Sequence, residues 1–123
     1  QEVTLADVLT EFYEPFKAAC GERYETWRFA ADVSMRYDDY DSALRFWQKC
    51  IEVRPGAGYV LGPVTHCYRR MAEVAKDQKL AEALRRKSVE ITRHWMSCDL
   101  ETRAEATNWL YFDLSKLKLP SEA

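Results

Sequence analysis

Between Asp39 and Pro55 small and bulky residues recur at helical spacing: Tyr40, Ala43, Trp47, Cys50 and a closing Pro55. Upstream, Trp27, Ala30 and Ala31 form a similar set, and the polar run Asp38-Asp39-Tyr40 separates the two stretches. Small residues on one helix leave room for bulky ones on its neighbour, so this order predicts two helices packed closely across a tight turn. The apolar period is near 3.6 rather than 2, which disfavours strands. The expected helices run from about 24 to 37 and from about 41 to 53. Asp39 caps the second, and Pro55 ends it.

The remainder of the chain extends the helical reading to about six helices. With 123 residues, 47% of them hydrophobic and 31% charged, the composition is that of one globular domain with a real core. Four glycines and four prolines are few enough for long helices. Thr4 caps the first helix, with Asp7 placed for a capping box. Leu5, Val8, Leu9, Phe12, Phe16 and Ala19 supply its apolar face. Pro15 kinks this helix or ends it early, and Gly21 punctuates it.

Gly56, Gly58, Gly62 and Pro63 predict a loop, with Pro63 in the first turn of a fourth helix reaching about Lys76. A fifth helix is expected from about Lys79 to Met96, with Leu80, Ala83, Leu84, Ile91 and Trp95 on its inner side. Asp99 or Thr102 opens a sixth that ends near Leu117. Its stripe is Ala104, Leu110, Tyr111, Leu114 and Leu117. Short connections predict that neighbouring helices pack antiparallel.

Charge is uneven along the chain. Residues 1–25 hold six acidic and two basic side chains, whereas residues 26–98 hold 13 basic and nine acidic ones. A basic middle can steer an acidic partner, although solvated helix faces have the same composition. No apolar run is long enough to cross a membrane. No secretory leader is visible, and the start at Gln1 leaves room for one to have been removed. Cys20, Cys50, Cys67 and Cys98 are far apart, with no Cys-x-x-Cys and no histidine at metal-ligand spacing. Neither a zinc site nor another cofactor is expected. Buried free thiols are favoured over two disulfides, which places the chain in the cytoplasm.

The segment 24–57 resembles a tetratricopeptide repeat (TPR), a helix–turn–helix unit of about 34 residues that stacks into right-handed solenoids. Trp27, Ala30 and Ala31 fall at the first-helix contact positions. Tyr40, Ala43, Trp47, Cys50 and Pro55 fall at the turn, second-helix and terminal positions. Two departures stand out: Ser34 replaces an aromatic, and Asp38 stands where the turn has glycine for its left-handed backbone. A degenerate second unit covers about 63–96. Tyr68, Met71, Ala72 and Ala75 repeat the first-helix pattern, Ala83 takes the close-packing position, and Lys87 and Glu90 depart from it. Residues 101–118 then form a capping helix that closes the solenoid, with Trp109 or Phe112 projecting outward as the alternative.

This resemblance implies a non-catalytic adaptor or scaffold that holds a peptide or protein segment in a groove lined by the first helix of each hairpin. Mapped residue by residue, the first unit offers Arg28, Asp32 and Arg36, and the second offers His66, Arg69, Arg70 and Glu73. Guanidinium forks bind carboxylates bidentately, so an acidic segment or a C-terminal carboxylate is the favoured ligand. The family's chaperone clamp carries lysine and asparagine where Arg28 and Asp32 stand, so that ligand is not implied.

No enzyme signature is present. His66 and His94 sit on different helices, Asp38, Asp39 and Asp41 read as turn and cap residues, and no phosphate loop occurs. Two other functions fit the residues. Lys79, Arg85, Arg86, Lys87 and Arg93 make the fifth helix basic, as an RNA-binding helical repeat would be. A helical-bundle subunit of a larger complex needs no repeat ancestry. The oligomeric state is not legible.

Overall fold

The computed structural model describes residues 2–118, and among these every regular element is helical. The order is α1 (Leu5–Val8), a π-helical turn (Leu9–Tyr13), α2 (Glu14–Cys20), α3 (Tyr24–Arg36), α4 (Tyr40–Val53), α5 (Gly58–Val74), α6 (Gln78–Cys98) and α7 (Arg103–Leu117). The all-α expectation holds, with α1, the π turn and α2 forming the first of six helical rods. The chain divides between Val53 and Arg54 into two compact units, where the composition predicts one domain.

In the first unit, Thr4 and Asp7 close the capping box reciprocally at 3.0 and 3.1 Å. Pro15 neither ends the rod nor breaks it. The wide π turn lies just before it, and such a turn absorbs an interrupted hydrogen-bond ladder. Gly21 ends α2 at φ 81°.

The α3–α4 hairpin follows the sequence closely. Ala30, Ala31, Ala43 and Cys50 are fully buried, and Trp47 is 1% exposed. The Trp47 indole N–H donates to Met35 Sδ at 3.2 Å, while the Trp27 ring lies beneath Lys49 Nζ. The turn is a Schellman closure: Asp39 N–H donates to Ser34 O and Asp38 N–H to Met35 O, both at 3.0 Å. Asp38 adopts φ 58° in the position where glycine would be easiest. Its carboxylate accepts from Tyr40 Oη at 2.9 Å. Asp39 caps α4 through the Ser42 amide at 3.0 Å. The odd Ser34 is buried and satisfied, donating to Ala30 O at 2.8 Å. Edge-to-face pairs Tyr13–Phe46 and Phe16–Phe29 hold the first rod to the hairpin.

In the second unit α5 packs on α6, and α6 on α7. The expected loop over 56–63 is largely helix, because α5 begins at Gly58 and contains Gly62 and Pro63. Packing explains the glycines. A Cβ at Gly58 would overlap Thr102 Oγ1, Trp95 Nε1 and Asp99 Oδ2, and one at Gly62 would press on the Trp95 ring. The Gly58 amide donates to Asp99 Oδ2 at 2.7 Å, so a distant carboxylate caps α5. Asp99 also accepts from Glu101 N–H at 3.1 Å, and Trp95 Nε1 donates to Thr102 Oγ1 at 2.7 Å. These bonds tie the start of α5 to the α6–α7 corner.

The inner face of α6 differs from the expected one. Leu80 and Ala83 are exposed, whereas Arg85, Ser88, Thr92 and Trp95 are buried. Ala83 therefore does not take the close-packing place of a second repeat. On α7, Ala104 and Tyr111 face outward, while Ala106, Asp113 and Leu114 are buried.

Candidate functional site

Two groups of polar side chains stand out: one exposed on α3, one buried between α5, α6 and α7. The exposed group follows from helical spacing. Arg28, Asp32 and Arg36 stand four residues apart, which lines them along one stripe of α3. Arg28 Nε lies 3.8 Å from Asp32 Oδ2, a loose pair with both side chains about half exposed. Burial raises the Asp32 carboxyl above its usual value even though Arg28 and Arg36 pull it down. Arg36 is exposed and makes no ion pair among the described residues. Two guanidinium groups on a rigid helix thus remain open to a partner's carboxylates.

On α5 the sequence-derived candidates divide. His66 and Glu73 are exposed, and Arg70 donates to Glu73 Oε1 at 2.6 Å across one helical turn. Desolvation, with the Arg69 and Arg70 charges nearby, holds His66 below its usual value. Arg69 is not on the surface, which corrects the expectation that it lines a groove. It is 3% exposed and turned toward α7. The first three candidates belong to one unit and the last four to the other.

The buried group is centred on Asp113, which is fully inaccessible. Its carboxylate accepts from Arg69 Nε at 3.0 and 3.1 Å, from Ser88 Oγ at 2.7 Å and from Arg85 Nη1 at 3.3 Å. Arg69 spends its other nitrogens on Thr65 Oγ1 at 2.9 Å and Thr92 Oγ1 at 3.2 Å. The Trp109 ring covers the guanidinium, 4.4 Å from centroid to Cζ. Burial and the neighbouring Arg85 lower the Arg69 value, and Asp113 opposes them. A guanidinium nevertheless stays protonated, so the cluster holds two cations and one anion.

Sequence reasoning missed this cluster because it sought apolar stripes. The signal was present in polar form: Arg85, Ser88, Thr92 and Trp95 share one face, as do Thr65 with Arg69 and Trp109 with Asp113. With Trp109 and Phe112 paired edge to face and stacked on these cations, α7 contributes to the interior and does not merely lie over it.

A histidine does stand at ligand spacing to a cysteine: His94 and Cys98, one turn apart on α6, correct that expectation. Cys98 Sγ is 3.7 Å from Nδ1 and 3.6 Å from Nε2. Near-equal distances put the sulfur off the axis of either nitrogen's lone pair, which does not align the two for proton transfer. Among the described residues no cluster of three metal-ligating side chains occurs.

Cys50 and Cys67 are buried as expected, but Cys20 and Cys98 are exposed. No helix among the described residues is long and apolar enough to cross a membrane. Comparison with protein-family models, curated proteins and solved structures gives no match.

Proposed function

We propose that this chain is a non-catalytic protein-interaction module of TPR-like type, an adaptor whose α3 face binds a carboxylate-bearing protein segment. The observation that carries this reading is the contrast between the two sides of α3. Thr26, Ala30, Ala31 and Ser34 are completely buried, while Arg28 and Arg36 project from the same helix with little internal pairing. The buried side supports repeat-like packing, and the exposed side is left for a partner. On α5, Arg70 and Glu73 satisfy each other, so they contribute charge without offering an open fork.

The RNA-binding alternative draws on the α6 cations. Arg85 is withdrawn into the interior, and Lys87 pairs with Glu90 at 3.5 Å. The remaining Lys79, Arg86 and Arg93 make a shorter positive track than phosphate binding favours. A cytoplasmic setting is part of the proposal and rests on the buried thiols of Cys50 and Cys67.

Calorimetric titration with an Asp/Glu-rich peptide bearing a free C-terminal carboxylate tests the proposal. Arg28→Glu/Arg36→Glu should weaken binding at least about tenfold, and added salt should weaken the native protein's binding. Equal affinity for the native protein and the double variant would refute the assignment of this face.

A further inference from the structure

The mouth of the buried cluster opens between the first turns of α6 and the end of α7. A cleft of about 170 Å³ lies there, lined by Gln78, Ala81, Glu82, Arg85, Lys116 and Leu117 among others. Its volume is that of about five or six waters, enough for one small oxyanion with some of its hydration.

Three features of this cleft converge. Arg85 is 9% exposed and uses only Nη1, donating to Asp113. Its Nε and Nη2 have no acceptor among the described residues, and these two N–H groups form the side-on fork that matches a carboxylate or phosphate. Asp113 cannot neutralise both arginines, since its oxygens already take Arg69, Ser88 and Arg85. Finally, Lys116 is held at the same mouth. Its Nζ lies 5.4 Å from the centroid of the Phe112 ring, against which Arg85 Cζ lies at 5.8 Å. Glu82 also lines the cleft but makes no ion pair with Arg85 or Lys116 among the described residues.

We propose that this cleft is an anion-binding site that takes one carboxylate or phosphate group. The Arg85 fork supplies direction and Lys116 supplies charge at the rim. The bound anion balances the cation that Asp113 leaves uncompensated, in a setting partly screened from water. Glu82 opposes the anion and limits its affinity. The site lies wholly within the second unit and is independent of the α3 face.

Inorganic phosphate and acetate are the probes, each titrated at constant ionic strength against chloride into ¹⁵N-labelled protein. Saturable shifts are expected at the Arg85 Nε–H and at the Ala81 and Leu117 amides, while the Arg28 and Arg36 Nε–H signals do not saturate. Lys116→Ala should weaken binding about three- to tenfold, and Glu82→Gln should strengthen it about two- to fivefold. Both residues are exposed, so neither change threatens the fold. Saturation by phosphate alone assigns a phosphate ligand, by acetate alone a carboxylate, and by both a site for either. Absence of saturation by both probes up to about 50 mM, or unchanged affinity in either variant, would overturn the proposal.

Discussion

Arg69 on α5 and Asp113 on α7, 44 residues apart in sequence, meet in the interior of the second unit with the Arg69 Nε–H shared between both carboxylate oxygens. The pair ties α7 to α5 across the interior, with Thr65 and Thr92 taking the other guanidinium nitrogens. A buried pair need not add net stability over an apolar substitute. Removing one member, however, strands the other away from water.

Arg69→Ala should therefore destabilise the protein by about 3–5 kcal/mol, not leave it unchanged as for an exposed charge. Arg69→Ala/Asp113→Ala should cost less than the sum of the two single changes. Urea unfolding of the four proteins checks this. A single-variant loss under about 0.5 kcal/mol would contradict the buried arrangement.

Trp47 on α4 is 1% exposed and reaches α3 through its indole N–H, which donates to Met35 Sδ at 3.2 Å. Trp47→Ala should cost about 3–5 kcal/mol, the combined loss of transfer free energy and packing. An unchanged unfolding midpoint in the variant would be incompatible with the hairpin core.

The four thiols should separate into two classes. Burial pushes the Cys67 thiol up to about 12, and Cys50 is equally inaccessible. Both should resist a thiol reagent until unfolding, while Cys20 and Cys98 react at once. Mass spectrometry of timed labelling distinguishes the classes. Early modification of Cys67, or a native disulfide, would contradict this account and the cytoplasmic proposal.

Acid sensitivity follows from two kinds of site. His66 is held below its usual value, so the unfolded chain takes up the proton more readily. Its contribution is present above about pH 6.5 and lost as pH falls. Asp99 is lowered by the Gly58 amide, then by Thr102 and Glu101. Its contribution is present above about pH 4 and lost as pH falls through the folded value. Asp32, raised by burial, acts in the opposite sense. Asp99→Asn should flatten the fall of the urea midpoint below about pH 4. An acid limb identical to the native one would exclude Asp99 as a contributor.

The first hairpin was legible in the sequence because its contacts are apolar and local. Ala30, Ala31, Ala43, Trp47 and Cys50 obey one helical period, and Asp38 and Asp39 act where turn chemistry places them. The second unit was less legible for a physical reason. Its interior is assembled from Arg69, Arg85, Ser88, Thr92 and Asp113, whose pairing appears only when three helices converge. A hydrophobic-periodicity reading assigns such residues to solvent. Gly58 and Gly62 misled in a similar way, since they signal a loop locally but serve close approach to Trp95 and Asp99. On α3 the sequence placed Arg28, Asp32 and Arg36 on one stripe, and it could not distinguish them from the interior Arg69.

The interaction proposal is tested most directly by quantitative affinity capture from the native host, comparing the native protein with Arg28→Glu/Arg36→Glu. Urea unfolding first establishes that the double variant folds as the native protein does. Mass spectrometry should then find a partner retained by the native protein and depleted at least about tenfold by the variant. The same partners at the same abundance on both baits would contradict the account.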